Sequence, residues 1–319
     1  PFFLIIMGIA CWFSFQKYDQ KISLNLIKKI VRRSLLIIII GLSLNFFKQW
    51  INLGEVDLST LRFTGVLQRI GICYGIGASL CLALNSRGVV IASFFILFSY
   101  WMVLYSAGGP EPYIAENSIV GKIDTLIIGE NHLRDGYPVD TSGLFASFPA
   151  VVHVMWGYLI GVMINKVSNH RRLISKMFII GFLSAIIAQI WNLILPINKT
   201  LWTSSYVLYS SGLAILIFAI LIWIIDIQKK IKFLKPFLVF GVNSLFAYVF
   251  AELCGGIFST ILRFQYEGNL ISFRGFMYNN IFSPILGEMN GSLFYSIFMM
   301  SIYWSILWYM DKKRVYVKI

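Results

Sequence analysis

Leu61-Arg62-Phe63-Thr64-Gly65-Val66-Leu67-Gln68-Arg69-Ile70 opens an apolar run that continues through Ile72, Tyr74, Ile76 and Leu80 to Leu84. A helix rises about 1.5 Å per residue, so about 20 such residues cross the core of a bilayer. Residues 65–84 therefore read as a membrane span, with Arg62, Gln68 and Arg69 at or inside its edge. A charged side chain at the bilayer centre costs about 2.5–3.5 kcal/mol on insertion scales and more in simulations. Two arginines kept at such a place, with a glutamine beside the second, point to use. If the helix already includes position 62, Arg62 and Arg69 share a face, because seven residues bring a helix round to within about 20°. Two guanidiniums on one face suit a phosphate or carboxylate, since each offers a planar fork of donors. The topological alternative is that arginines near a helix end snorkel to the interface.

The rest of the chain matches that reading. Hydrophobic residues make up 58% of it and charged residues 13%, about half the charge of a soluble domain. Spans are expected at residues 30–47, 65–84, 89–106, 144–165, 174–195, 203–225, 236–262 and 290–310, with a shorter apolar run at 1–15. Residues 276–286 are also apolar but are interrupted by Asn279, Asn280 and Pro284, and read as a re-entrant or interfacial piece. The fold class is all-α: a polytopic transmembrane helix bundle of about nine to ten spans, read as one domain over residues 1–319. The chain starts at Pro1 inside an apolar run, without a methionine or a basic leader. The expectation is that an N-terminal part is missing, and with it the first span.

The net charge of +13 does not indicate nucleic acid, because the basic residues lie between apolar segments. Nineteen of the 27 lysines and arginines fall in one set of alternating loops, among them Lys28, Lys29, Arg32, Arg33, Arg171, Arg172, Lys229, Lys230, Lys232 and Lys318. The other eight are Lys48, Arg62, Arg69, Lys122, Arg134, Lys199, Arg263 and Arg274. Basic loops face the cytoplasm, so the C-terminus is expected there. The opposite side holds most of the acids, Asp124, Asp135, Asp140 and Glu267 among them. It also carries the longest loop, residues 107–143, whose length and apolar run at 123–128 suggest an ordered, functional cap.

Further polar residues sit at membrane depth. Gln189 and Asn192 are three apart on one helix face and lead into Pro196, Asn198, Lys199 and Trp202. Lys199 reads either as a contact for an anion or as an interfacial charge, and Trp202 as part of an aromatic belt. Ser244, Tyr248 and Glu252 form a polar stripe on the 236–262 span. Beside it Asn243, Ala247, Ala251 and Gly255 form a stripe of small residues, the usual means of close helix packing in lipid. Glu252 is a candidate partner for Arg69. His153, alone among valines, reads as a satisfied core residue. The cysteines (Cys11, Cys73, Cys81, Cys254) lie in apolar segments without metal spacing and read as small hydrophobes. No metal site is expected, and no soluble-enzyme motif is present.

Five runs resemble the heparan-alpha-glucosaminide N-acetyltransferase family. They are Pro1-Phe2-Phe3-Leu4-Ile5-Ile6-Met7-Gly8, the Arg62–Ile70 run above, Gly129-Glu130-Asn131-His132-Leu133, the stretch from Asn192 through Pro196, Asn198 and Lys199 to Thr203, and Gly241-Val242-Asn243-Ser244. They occur in family order over essentially the whole chain. The family often reads Asp-Pro-Glu-Gly where this chain has Asp140-Thr141-Ser142-Gly143, so a role for that glutamate does not carry over. The resemblance implies transfer of an acetyl group from cytosolic acetyl-CoA to the amine of a glucosamine-type sugar on the far side of a bacterial inner membrane. The expected catalytic histidine lies upstream of Pro1, so residues 1–319 alone are expected to be inactive. Donor-binding candidates are Arg62, Gln68, Arg69, Asn192, Asn198 and Lys199. Acceptor-binding candidates are His132, Asp140, Trp202, Asn243 and Glu252. The expected partners are acetyl-CoA, the amino sugar or its oligosaccharide, and the lipid bilayer, with a homodimer left open. The alternative is an amino-sugar transporter without acyl transfer, since polar residues on broken helices serve transporters too.

Overall fold

The computed structural model describes residues 1–109, 111–134, 139–231 and 234–317. Asp135, Lys232 and Lys318, used in the charge pattern, lie outside the described residues, as do residues 110 and 136–138 of the cap loop. The chain is helical almost throughout. In order come α1 (Phe2–Gln16), α2 (Leu24–Leu53), α3 (Val66–Ala83), α4 (Ser86–Ala107), α5 (Ile119–Ile128), α6 (Ser147–Lys166), α7 (His170–Trp191) and α8 (Ser204–Ile222). Then follow α9 (Lys235–Val242), α10 (Ser244–Gly256), a hairpin of β1 (Arg263–Tyr266) and β2 (Asn269–Ser272), α11 (Phe273–Phe276), α12 (Ser283–Leu286) and α13 (Glu288–Lys312). Among the described residues eight helices are long and apolar enough to cross a membrane, and α1 is a shorter apolar helix. The chain is thus an all-α, polytopic helix protein.

The described residues group into two compact units within the stretch read as one domain. The first comprises Pro1–Leu42 and Ser59–Lys229, the second Ser43–Leu58 and Lys230–Ile319. In the first unit α1, α6, α7 and α8 share a core that includes Ile5, Ile160, Met177 and Ile215. Lipid offers no hydrophobic drive between helices, so close approach depends on small residues. Gly8 of α1 and Gly157 of α6 meet backbone to backbone, and a Cβ on Gly8 would lie 2.9 Å from the Gly157 Cα. α2 has 30 residues, about 45 Å at helical rise, against a core of about 30 Å. It therefore runs past the span read at 30–47 at both ends, carrying Lys28, Lys29, Arg32 and Arg33 within its first turns.

In the second unit the span read at 236–262 is two helices. It is interrupted at Asn243 (φ −125°, ψ 36°), between α9 and α10. The Asn243 amide donates to Val315 O at 3.0 Å and accepts from Val317 N at 2.9 Å, so the break is bound to the C-terminal segment. The hairpin after α10 was not foreseen. It turns at Glu267 and Gly268, both with positive φ, as tight hairpin turns require. The apolar piece at 276–286 forms short helical turns that end at Gly287 (φ 76°).

Candidate functional site

The site is built in the first unit where α3 begins. The helix starts at Val66, with Gly65 extended before it, so Arg62 is not on the helix. The face shared by Arg62 and Arg69 is therefore corrected: the first arginine sits on an extended segment and points to a different partner. Its Nε and Nη2 donate to Asp140 Oδ2 at 3.0 Å and Oδ1 at 2.7 Å, a bidentate fork. Thr64 Oγ1 also donates to Asp140, and Ser142 N donates to its Oδ1 at 2.7 Å. The Asp140 side chain is fully buried. Burial pushes its carboxyl up, but the Arg62 and Thr64 hydrogen bonds and the Arg62 charge outweigh that and hold it below the ordinary carboxylate range.

His132 serves the same segment from eight residues earlier in the cap loop. Its ring stacks on Phe63 at 4.1 Å, its Nδ1 lies 2.8 Å from Leu61 O, and its carbonyl accepts from Phe63 N. His132 and Asp140 thus tie the C-terminal part of the cap to residues 61–64. Both are engaged by the protein itself.

Arg69 is different. It is 5% exposed. Its Nη2 donates to Gly143 O at 3.1 Å and its Nε to Ser147 Oγ at 3.3 Å, and its guanidinium lies 4.5 Å from the Trp202 ring centre. Among the described residues no carboxylate lies within ion-pair distance of it. Asp140 and Asp124 act on it through space. Gln68 beside it is buried, and its Nε2 has no hydrogen-bond partner among the described residues.

Trp202 reaches Arg69 because of the turn that precedes α8. Asn192 Oδ1 accepts from Ile197 N at 2.7 Å, Asn198 Oδ1 accepts from Thr200 N at 2.8 Å, and Thr203 Oγ1 donates to Pro196 O at 2.8 Å. Tyr100 on α4 donates to Leu201 O at 2.7 Å. Held from both sides, Trp202 adopts φ 53°, a left-handed conformation that bulky residues rarely accept and that clusters at functional sites. It is 7% exposed and so not part of an interfacial belt, and its Nε1 has no hydrogen-bond partner among the described residues. Asn192 and Asn198 are consumed by the turn, and Lys199 is exposed. His153 is fully buried, with Nε2 at 3.1 Å from Ser210 Oγ and Nδ1 at 3.3 Å from Ala150 O, and its ring is 5.9 Å from Trp202's. It is a satisfied core histidine that also abuts the Arg69–Trp202 pair.

Sequence reading did not assign Gly143, Ser147 or Asp124 to this place. Asp124 on α5 is fully buried, and its Oδ1 accepts from Phe145 N at 2.8 Å while Oδ2 has no hydrogen-bond partner among the described residues. Burial pushes its carboxyl up to about 6, with the Asp140 charge adding to the rise. The readable signal was the run of buried hydroxyls in the apolar α8, Ser204, Ser205, Ser210 and Ser211, which marks a polar face inside a span. Asn243 and Glu252 belong to the second unit. Asn243 holds the C-terminal segment. Glu252, considered above as the partner of Arg69, is instead paired with Lys48 at 2.5 Å.

No protein-family model matches the chain. Curated relatives do. The heparan-alpha-glucosaminide N-acetyltransferase of Mus musculus is 26% identical over 96% of this chain and 54% of its own length. That of Homo sapiens is 25% identical over 96% of this chain and 53% of its own length. The chain spans about half the length of the curated relatives it matches. It is a distant relative of the heparan-alpha-glucosaminide N-acetyltransferases.

Proposed function

We propose that the protein is a membrane-embedded N-acetyltransferase, moving an acetyl group from cytosolic acetyl-CoA to the amine of a glucosamine-type sugar on the other side of a cytoplasmic membrane, with its C-terminus in the cytoplasm. The observation that carries this reading is Arg69. A buried charge is ordinarily paired, because removing it from water costs several kcal/mol. This one is met by a carbonyl, a hydroxyl and a ring, with an unpartnered indole N–H on the same tryptophan. That arrangement fits an anionic or carbonyl-bearing group, which acetyl-CoA has in its phosphates and its thioester. When bound, acetyl-CoA supplies the activated acyl carbon. The residues of this chain then orient it: Arg69 offers the charge, Trp202 fixes the guanidinium plane, and the turn at Asn192–Thr203 fixes Trp202. Arg62 and Asp140 hold each other and position the loop ahead of α3. Of the donor candidates, Arg69 and Gln68 are the buried ones with capacity for a ligand, while Lys199 is exposed.

The test is acetyl-CoA binding and acetyl transfer to glucosamine by the full-length protein in detergent. Arg69→Gln should fold and lose donor affinity by roughly 10–150-fold, the worth of a charge-assisted contact. Unchanged affinity in a folded variant would remove Arg69 from the site. Amino-sugar transport is the second reading, and the helix interruption at Asn243 is what favours it. Sugar uptake into proteoliposomes without acetylation would select transport.

A further inference from the structure

The second unit contains two joined hollows that the proposed chemistry does not use. One is an apolar groove of about 680 Å³ between α9, α10 and α13, lined by Phe237, Phe240, Met299, Met300 and Tyr303. Ala247, Ala251 and Gly255, four residues apart on α10, form its floor. This is the small-residue stripe expected to pack helices closely, and here it does not. A Cβ built on Gly255 would meet nothing within 4 Å. From Ala247 to Gly255 the floor runs about 12 Å at helical rise, close to the depth of one leaflet of a core about 30 Å thick.

The second hollow is a polar cleft of about 580 Å³ lined by Lys48, Asn52, Glu252, Thr260 and Arg274. Ala251, Gly255 and Arg274 line both hollows, so the cleft and the groove meet at Arg274. The charges in the cleft are Lys48, Glu252 and Arg274. Lys48 and Glu252 neutralise each other at 2.5 Å. Arg274 has no ion-pair partner among the described residues, which leaves the cleft with one net positive charge at the end of an apolar channel.

We propose that this compound groove binds one anionic glycerophospholipid of the surrounding bilayer, its phosphate at Arg274 and an acyl chain along the α10 floor. The charge complementarity is specific in form. A guanidinium presents a planar fork that matches two phosphate oxygens, while a zwitterionic head group brings a competing cation into a cleft that is already positive. The apolar part explains why the ligand is an amphiphile rather than a free phosphate, because the groove below Arg274 is lined almost wholly by carbon.

The experiment uses the full-length protein and native mass spectrometry, with phosphatidylglycerol and phosphatidylcholine as the probes. The expected result is a one-to-one phosphatidylglycerol adduct, preferred over phosphatidylcholine by roughly tenfold or more, as one charge-assisted contact allows. Arg274→Gln should abolish the preference while leaving weak adducts of both lipids, and Arg274→Lys should restore part of it. Gly255→Leu, which fills the groove, should exclude both lipids and so gives a readout independent of the arginine. Glycerol phosphate at equal concentration should not displace the lipid. The proposal is overturned by equal retention of the two lipids, by a preference that survives in folded Arg274→Gln, or by displacement with glycerol phosphate. It is equally overturned if crosslinking from Gly255→Cys finds the groove closed by another segment of the chain or by a second copy.

Discussion

Two arginines seven residues apart, in one short motif, have opposite surroundings. Arg62, on the extended segment before α3, meets a buried carboxylate through both faces of a fork. Arg69, on α3 itself, meets a carbonyl, a hydroxyl and an indole ring, with no carboxylate at ion-pair distance among the described residues. The difference separates two uses of one side chain. A guanidinium that is fully answered by the protein fixes a loop. One that is buried yet answered only by neutral groups keeps capacity for something that arrives from outside.

Breaking the answered pair should have the largest effect. Asp140 is fully buried and Arg62 is 31% exposed, so removing the carboxylate strips the acceptor from the Arg62, Thr64 and Ser142 donors around a partly solvated guanidinium, at about 1–3 kcal/mol. Asp140→Ala should lower thermal stability by that order, and acetyl-CoA should not rescue it, because the pair holds the cap to residues 61–64. A melting temperature within error of the parent would show that the clasp is dispensable. The same logic fixes the pH dependence. The Asp140 carboxyl is held below its ordinary value of 3.8 in the folded protein, so its contribution is complete above that value and is lost as the pH falls below it.

Arg69→Gln should be milder for the fold. A glutamine still reaches Gly143 O or Ser147 Oγ and brings no charge into the site, so the stability change should be about 1 kcal/mol. If melting falls as far as in Asp140→Ala, Arg69 is a second structural clasp and the contrast between the two arginines collapses. Trp202→Phe sharpens the same comparison. It keeps a ring under the guanidinium but removes the unpartnered N–H, so donor affinity should drop by less than in Arg69→Gln, with a modest fall in melting temperature from the smaller ring in a buried site.

Asp124 runs opposite to Asp140. Its folded carboxyl is raised from 3.8 to about 6, so its ionisation opposes folding: stability is greatest below 3.8 and declines as the pH rises through about 6. Asp124→Asn should flatten that part of the pH–stability curve by on the order of 1 kcal/mol. A variant whose curve between pH 4 and pH 7 superimposes on the parent's would mean that the carboxyl is better solvated than its burial implies. The smallest effect is expected at Lys48. Its pair with Glu252 is partly exposed, 46% and 31% at the two side chains, and such pairs are worth about 0.2–1 kcal/mol. Lys48→Gln should shift melting by no more than that.

The run lengths of apolar residues determined most of the helices by themselves. Crossing a bilayer imposes a length and a composition on each segment, and both are local properties of the chain. For the same reason the span at 65–84 could be read directly, and it is α3. Partner choice could not. Arg62 and Asp140 are 78 positions apart, Lys48 and Glu252 are 204 apart, and Arg69 and Trp202 meet across a turn whose left-handed residue no composition signals. The assignment of Glu252 to Arg69, of Trp202 to an interfacial belt and of the α10 stripe to close packing all rested on what each segment could do alone. Which arginine is answered and which is left open is decided by where distant segments deliver their carboxylates. That is a property of the packed helices, because a charge is indifferent to sequence separation and responds only to what lies within a few ångströms of it.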